Sequence, residues 1–129
     1  MQDIEEKLMN VCVTTNRVPV TKGYEDAFEE RFRNRAGLID NEPGFLRNEI
    51  HRPRPMKMDM AAGGLVPDDD MQGYYLIKTW WRDFDDFVAW TKSESFAEAH
   101  RNPAPEEMFA GSSEIEVHEL LSSTDLKVA

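Results

Sequence analysis

At Tyr74–Trp81 the chain reads YYLIKTWW, a run of aromatic and β-branched residues closed by Gly73 before it and Asp83 after it. Such residues fit a pleated, packed surface, so the stretch predicts a strand. Apolar side chains stand on both parities, which predicts a strand covered on both faces. Residues 8–18, LMNVCVTTNRV, read the same way and stop at Pro19. Two strands of this kind call for helices on one side of the sheet and further cover on the other.

Working outward, residues 21–39 place Tyr24, Phe28, Phe32 and Ala36 four apart, with Ala27 beside them and Glu25, Glu29 and Glu30 turned away. Acids come early and Arg31, Arg33 and Arg35 late, as a helix dipole favours, so this is an amphipathic helix closing near Gly37. Asn41-Glu42-Pro43-Gly44 is a turn. Residues 45–52, FLRNEIHR, form a shorter, wetter strand, and 53–73 reads as a structureless insertion. After Trp81, Asp83 caps a helix with Phe84, Phe87, Val88 and Thr91 on one face. Ser95 to Glu98 has capping-box spacing for a second short helix reaching about Arg101, stopped by Pro103 and Pro105. Residues 112–121 alternate, with Ile115, Val117 and Leu121 opposed to Glu114, Glu116 and His118, and predict a half-buried last strand. The tail, 122–129, is expected to fray.

The order β-α-β-β-α-α-β predicts an α+β, ferredoxin-like sandwich over a single domain, 1–129. Helices fill one face of its sheet. A second copy is the simplest cover for the other, so a homodimer is expected.

Composition narrows the function. Fifteen Lys and Arg against twenty-five Asp and Glu give a formal charge of −10, which disfavours nucleic acid and anionic membranes. Cys12 is the one cysteine, which excludes an internal disulfide and suits a cytoplasmic protein. The opening MQDIEEKLMN has no apolar core of a secretory signal, and no apolar run approaches the ~20 residues of a membrane span. Phosphate loops, zinc spacings and a GxSxG elbow are missing, and Cys12 in mid-strand reads as a small buried hydrophobe.

Three histidines remain. His51 sits among Arg52, Pro53 and Arg54, and His118 shares a polar face with Glu114 and Glu116; both read as solvated. His100 ends a helix whose neighbouring residues are Phe96 and Ala97, and no carboxylate lies four residues back. Two readings stand open for it: a partly buried structural histidine, or an imidazole projecting into an apolar slot as an axial donor to haem iron. Trp90, ten residues earlier, and Asn16, near the end of the first strand, read singly as core and as a turn former.

Taken together, these features resemble the antibiotic biosynthesis monooxygenase superfamily and, within it, the IsdG-type haem-degrading monooxygenases. The likeness rests on Thr15-Asn16-Arg17, on FEERFRNRAGLIDNEPGFL at 28–46, and on FVAW followed by AEAH, and it spans most of 9–121. The insertion at 53–73 and the extension before Leu8 depart from the family pattern. The resemblance implies haem held between the helices and one sheet face, in a homodimer whose two sheets close into a β-barrel. It implies His100 as the iron's axial ligand, Trp90 pressing on and ruffling the macrocycle, and Asn16 as a distal hydrogen-bond donor. Phe32 and Arg35 match haem contacts, Arg35 as a propionate partner. Haem would then be both substrate and cofactor, with O2 and an external electron donor (a reductase or small reductant) completing the reaction. Two other readings are a cofactor-independent oxygenase acting on a quinol or polyketide-like aromatic, and a module that binds haem without turnover. Met56, Met58 and Met60 form either a flap over the haem edge or plain disorder.

Overall fold

The computed structural model describes residues 10–34, 39–101 and 103–124. A four-stranded sheet runs in the order β2-β5-β1-β6, built from β1 (Cys12–Pro19), β2 (Phe45–His51), β5 (Tyr74–Trp81) and β6 (Glu114–Glu119). All three pairings are antiparallel. The helices are α1 (Glu25–Asn34), α2 (Phe84–Thr91) and α3 (Glu94–Ala99). This is the ferredoxin-like α+β arrangement expected from the element order. The two strands read as apolar on both parities, β5 and β1, are the central pair.

The register sorts the sheet's side chains into cross-strand rows. Facing the helices, Ile50, Ile77, Asn16 and Ile115 lie side by side, and the next row holds Asn48, Thr79, Thr14 and Val117. The row beyond starts Phe45, Trp81, Cys12. Phe45 joins that row through an irregularity between Phe45 and Arg47, which inserts a residue into β2. An extra residue in one strand shifts the side-chain parity beyond it. Phe45 and the even-numbered Asn48 and Ile50 therefore share one face.

Phe28 of α1 is buried with Val18, Val20, Tyr75 and Met108. Its ring meets Tyr75 at 4.7 Å and Phe32 at 4.9 Å. Below it the Tyr75 hydroxyl donates to Glu29 at 2.5 Å, and Arg52 grips the same carboxylate with two bonds of 2.5 and 2.9 Å. Those hydrogen bonds, from Arg52 first and Tyr75 second, hold the Glu29 carboxyl at about 2. Gly44, at φ +83°, closes the turn into β2; a Cβ there would stand 2.1 Å from Asp86 Oδ2 at the start of α2.

Three sequence expectations need correction. The segment 53–73 is not structureless: β3 (Met56–Asp59) and β4 (Gly64–Pro67) pair as a hairpin across a 3-10 turn capped by Asp59. Its return leg is tied down by Lys22 donating to the Asp69 carbonyl and Gln72 to the Val20 carbonyl. The cap of α3 is Ser93, two residues before Ser95, because its hydroxyl is the one that reaches the Phe96 N–H. All of β6 is exposed rather than half-buried, and Leu121 is 95% exposed, since the strand sits at the sheet's edge. The loop after Pro105 contains a short 3-10 turn, Glu106–Met108, which delivers Met108 to the core. The expected ends at Leu8, Ala36 and Gly37, and the tail beyond residue 124, lie outside the described residues. No helix among the described residues is long and apolar enough to cross a membrane.

Candidate active site

Between the helices and the sheet lies a cleft of about 770 Å³, within the range of small-ligand pockets. The sheet supplies its floor with the isoleucine row and the Asn48-Thr79-Thr14 row. Phe32 of α1, Phe87 and Trp90 of α2, and Phe96 and Ala99 of α3 form its apolar walls. Asn16, Phe32, Trp90 and His100 thus line one cavity, although they come from four separate parts of the chain. Arg35 lies outside the described residues. None of Met56, Met58 and Met60 is among the residues that line the cavity.

His100 is the C-cap of α3. Its Nδ1 lies 2.7 Å from the Phe96 carbonyl oxygen. That oxygen can only accept, so Nδ1 carries the proton, and in the neutral ring Nε2 keeps a free lone pair. The ring also packs on Phe96 at a centroid distance of 4.1 Å. A fixed tautomer with one open nitrogen is the arrangement that a histidine ligand to a metal requires. Among the described residues no group of three or more His, Cys, Asp and Glu is placed to hold a metal ion by itself.

Trp90 lies edge-on to Phe96 at 4.8 Å and beside Trp81 at 5.6 Å. Ser93, between α2 and α3, fixes the two helices: its hydroxyl donates to the Trp90 carbonyl at 2.7 Å and accepts from the Phe96 N–H at 3.1 Å. One small side chain thereby sets Trp90 relative to the helix that carries His100.

On the floor, Asn16 projects between Ile77 and Ile115, and among the described residues its carboxamide has no hydrogen-bond partner. It is the polar group of an otherwise aliphatic row. Asn48 Nδ2 donates to Thr79 Oγ1 at 2.9 Å and to the Lys78 carbonyl at 3.1 Å, which leaves its Oδ1 as an acceptor. Asn48, Thr79 and Ser93 were not singled out from the sequence. Their only signal was position: two polar residues on a register row, and a Ser three residues before an aromatic.

Cys12 is buried, and burial first, then the Glu119 and Asp83 carboxylates, push its thiol up, which makes it a poor nucleophile. On the sheet's far side, Val13, Leu76 and Trp80 stand among Lys78, Glu116 and His118 around a second concavity of about 450 Å³. The described helices α1, α2 and α3 lie on the other side.

Residues 12–102 match the family model for antibiotic biosynthesis monooxygenase. The chain belongs to that family. Among curated relatives of this monooxygenase family, a heme oxygenase (staphylobilin-producing) of Staphylococcus haemolyticus is 34% identical over 90 residues, 70% of this chain and 73% of the relative. A heme-degrading monooxygenase of Bacillus cereus is 33% identical over 90 residues, covering 70% and 71%. The haem-degrading branch of the antibiotic biosynthesis monooxygenases is therefore where the chain sits, and it is an oxidoreductase. Among solved structures the fold matches MhuD from Mycobacterium tuberculosis, a heme-degrader described with two hemes in its active site, at TM-score 0.64 and 23% identity over 87% of this chain and 97% of MhuD. It also matches SnoaB from Streptomyces nogalater, a cofactor-independent oxygenase, at TM-score 0.60 and 19% identity over 89% and 97%.

Proposed function

We propose that this chain binds haem in the cleft between helices and sheet and opens the macrocycle with O2 and reducing equivalents, releasing iron. The observation that carries this reading is the His100 imidazole, its Nδ1 proton held by the Phe96 carbonyl and its Nε2 free, at a cavity walled by Phe32, Trp90 and Phe96. The relatives at 33–34% identity that degrade heme support it.

Haem is the substrate, and its iron supplies the oxygen-activating chemistry. His100 would hold the iron. Its ring is kept from rotating by the Phe96 bond and by stacking on the Phe96 ring. Trp90, on the same side of the cleft as His100, would press on the macrocycle and ruffle it, bringing the reacting carbon closer to where oxygen is activated. Asn16, rising from the opposite wall, would aim its carboxamide N–H groups at the far face of the ligand, where charge builds up during reaction. Phe32 and the isoleucine row exclude water from the macrocycle's apolar edge. Arg35 is proposed as a propionate partner.

The far sheet face, with Val13, Leu76 and Trp80 uncovered by any described helix, supports a homodimer closed sheet to sheet into a barrel. A single domain, a cytoplasmic location and a separate reductase or small reductant complete the proposal.

The test is a hemin titration. A Soret band saturating at one equivalent per chain, then bleaching when ascorbate is added in air, is the expected result. Binding without bleaching would leave a haem-binding module. A second reading, cofactor-independent oxygenation of a quinol or polyketide-like aromatic, draws on the Asn48 acceptor and Thr79 hydroxyl in the floor, which suit phenolic groups. Oxygen uptake with a hydroquinone in the absence of hemin, and no Soret band with it, would select that reading instead.

A further inference from the structure

A ring that bends its ligand is pushed back with equal force, so it bends the ligand only if something stiff stands behind it. None of the eight residues of α2, Trp90 included, is fully buried. Behind it stands Trp81, 0% exposed, with its ring 5.6 Å from Trp90 and tilted by 35°. Trp81 belongs to β5, which is paired on both sides, with Phe45 and Cys12 as its strand partners. Its ring is braced in turn by Phe45 at 6.0 Å and Phe87 at 6.1 Å. Both indole N–H groups, on Trp81 and Trp90, are buried with no hydrogen-bond partner. A buried donor without a partner costs free energy that a phenyl ring would avoid. The pair is therefore explained by the bulk and rigidity of indole and not by hydrogen bonding.

We propose that Trp81 is a positioning residue that backs Trp90 against the sheet and so keeps the cleft's grip on its ligand distorting. The inference rests on the haem-degrading reading above. Force on Trp90 passes through Trp81 into the central strand pair, where nothing yields without breaking sheet hydrogen bonds. With a smaller or softer residue at 81, Trp90 recedes and the macrocycle relaxes toward planarity. Distortion is imposed at the expense of binding energy, so its loss raises rate-limiting barriers without weakening the complex.

The experiment compares wild type, Trp81→Phe and Trp81→Met, with folding checked by circular dichroism and hemin as ligand. Methionine fills most of the space but is flexible, so it decides the matter if the phenylalanine variant does not fold. The expected result is hemin affinity unchanged or up to about tenfold tighter, ring opening slowed about tenfold, and resonance Raman core-size bands moved toward those of planar ferric haem. Combining Trp81→Phe with Trp90→Phe should slow ring opening no further than Trp90→Phe alone, because one residue acts through the other. A folded variant with wild-type Raman bands and rate overturns the role, as does one whose affinity falls in step with its rate. If wild type itself shows no Soret band, the haem reading fails, and the positioning role with it. Wild-type turnover beside an unaltered variant overturns the positioning role alone.

Discussion

The imidazole Nδ1 of His100 donates to the main-chain carbonyl of Phe96 across 2.7 Å, one helical turn back. The bond needs no second side chain, so the ring's tautomer is fixed by the backbone at the end of α3. His100→Ala removes both the proposed iron ligand and the ring packed on Phe96. Hemin affinity is expected to fall by about a hundredfold or more, with the Soret band replaced by that of free hemin. Exogenous imidazole should restore part of the spectrum, which spectrophotometric titration would show.

Asn16 stands alone as a polar group in its row. Asn16→Ala should bind hemin within about threefold of wild type yet open the ring at least tenfold more slowly, since the role proposed for the carboxamide begins only once charge develops. Stopped binding and turnover assays on one preparation separate the two effects; equal turnover would remove Asn16 from the chemistry.

Ser93 joins the ends of α2 and α3 through both its lone pair and its proton. Ser93→Ala loses a helix cap, an effect of about 1 kcal/mol. It should lower the melting temperature modestly and weaken hemin binding several-fold, because Trp90 and His100 lose their common reference. Ser93→Thr should keep both bonds and most of the affinity.

The Glu29 carboxyl, held at about 2 by Arg52 and Tyr75, ties stability to pH. Its folded value lies below the ordinary 4.5, so the stabilisation is fully present above pH 4.5 and is lost as pH falls toward 2. Melting curves of wild type should drop steeply across that window, whereas Glu29→Gln should be less stable at neutral pH and flatter below pH 4.5. Tyr75→Phe removes a hydrogen bond from a buried hydroxyl to a charged acceptor, an expected loss of about 1.5–3 kcal/mol.

On the uncovered sheet face, Trp80 lies near Val13 and Leu76, with the Arg47 guanidinium 4.3 Å above its ring. Trp80→Glu should turn the proposed homodimer into a monomer in analytical ultracentrifugation. A wild-type chain that sediments as a monomer at tens of micromolar would dispose of the dimer.

Much of this architecture was legible because the residues that build it obey one period at a time. Tyr74–Trp81 and the Phe28 and Phe32 stripe announce a strand and a helix without help from distant contacts. Asp83 before a helix of aromatics needs only local hydrogen bonding to be read as a cap. What failed to show was whatever depends on register or edge position. The hairpin at 56–67 does alternate, Met56-Lys57-Met58-Asp59, but methionine is no strand former and its strands span only four residues each. Burial of β6 was overestimated because alternation reveals a face, not whether anything lies against it. Asn48 and Thr79 gain meaning only once Phe45 is seen to be offset by an inserted residue. In the cleft, Asn16, Trp90 and His100 were each ambiguous alone; only the family pattern grouped them before their shared cavity was seen.

The hairpin built by β3 and β4 leaves and re-enters the fold between β2 and β5, and contributes nothing to the lining of the cleft. Changes of length or composition there would leave the described lining of the cleft untouched. That stretch is where this scaffold can accept a graft or a new partner without disturbing the residues that wall the cleft.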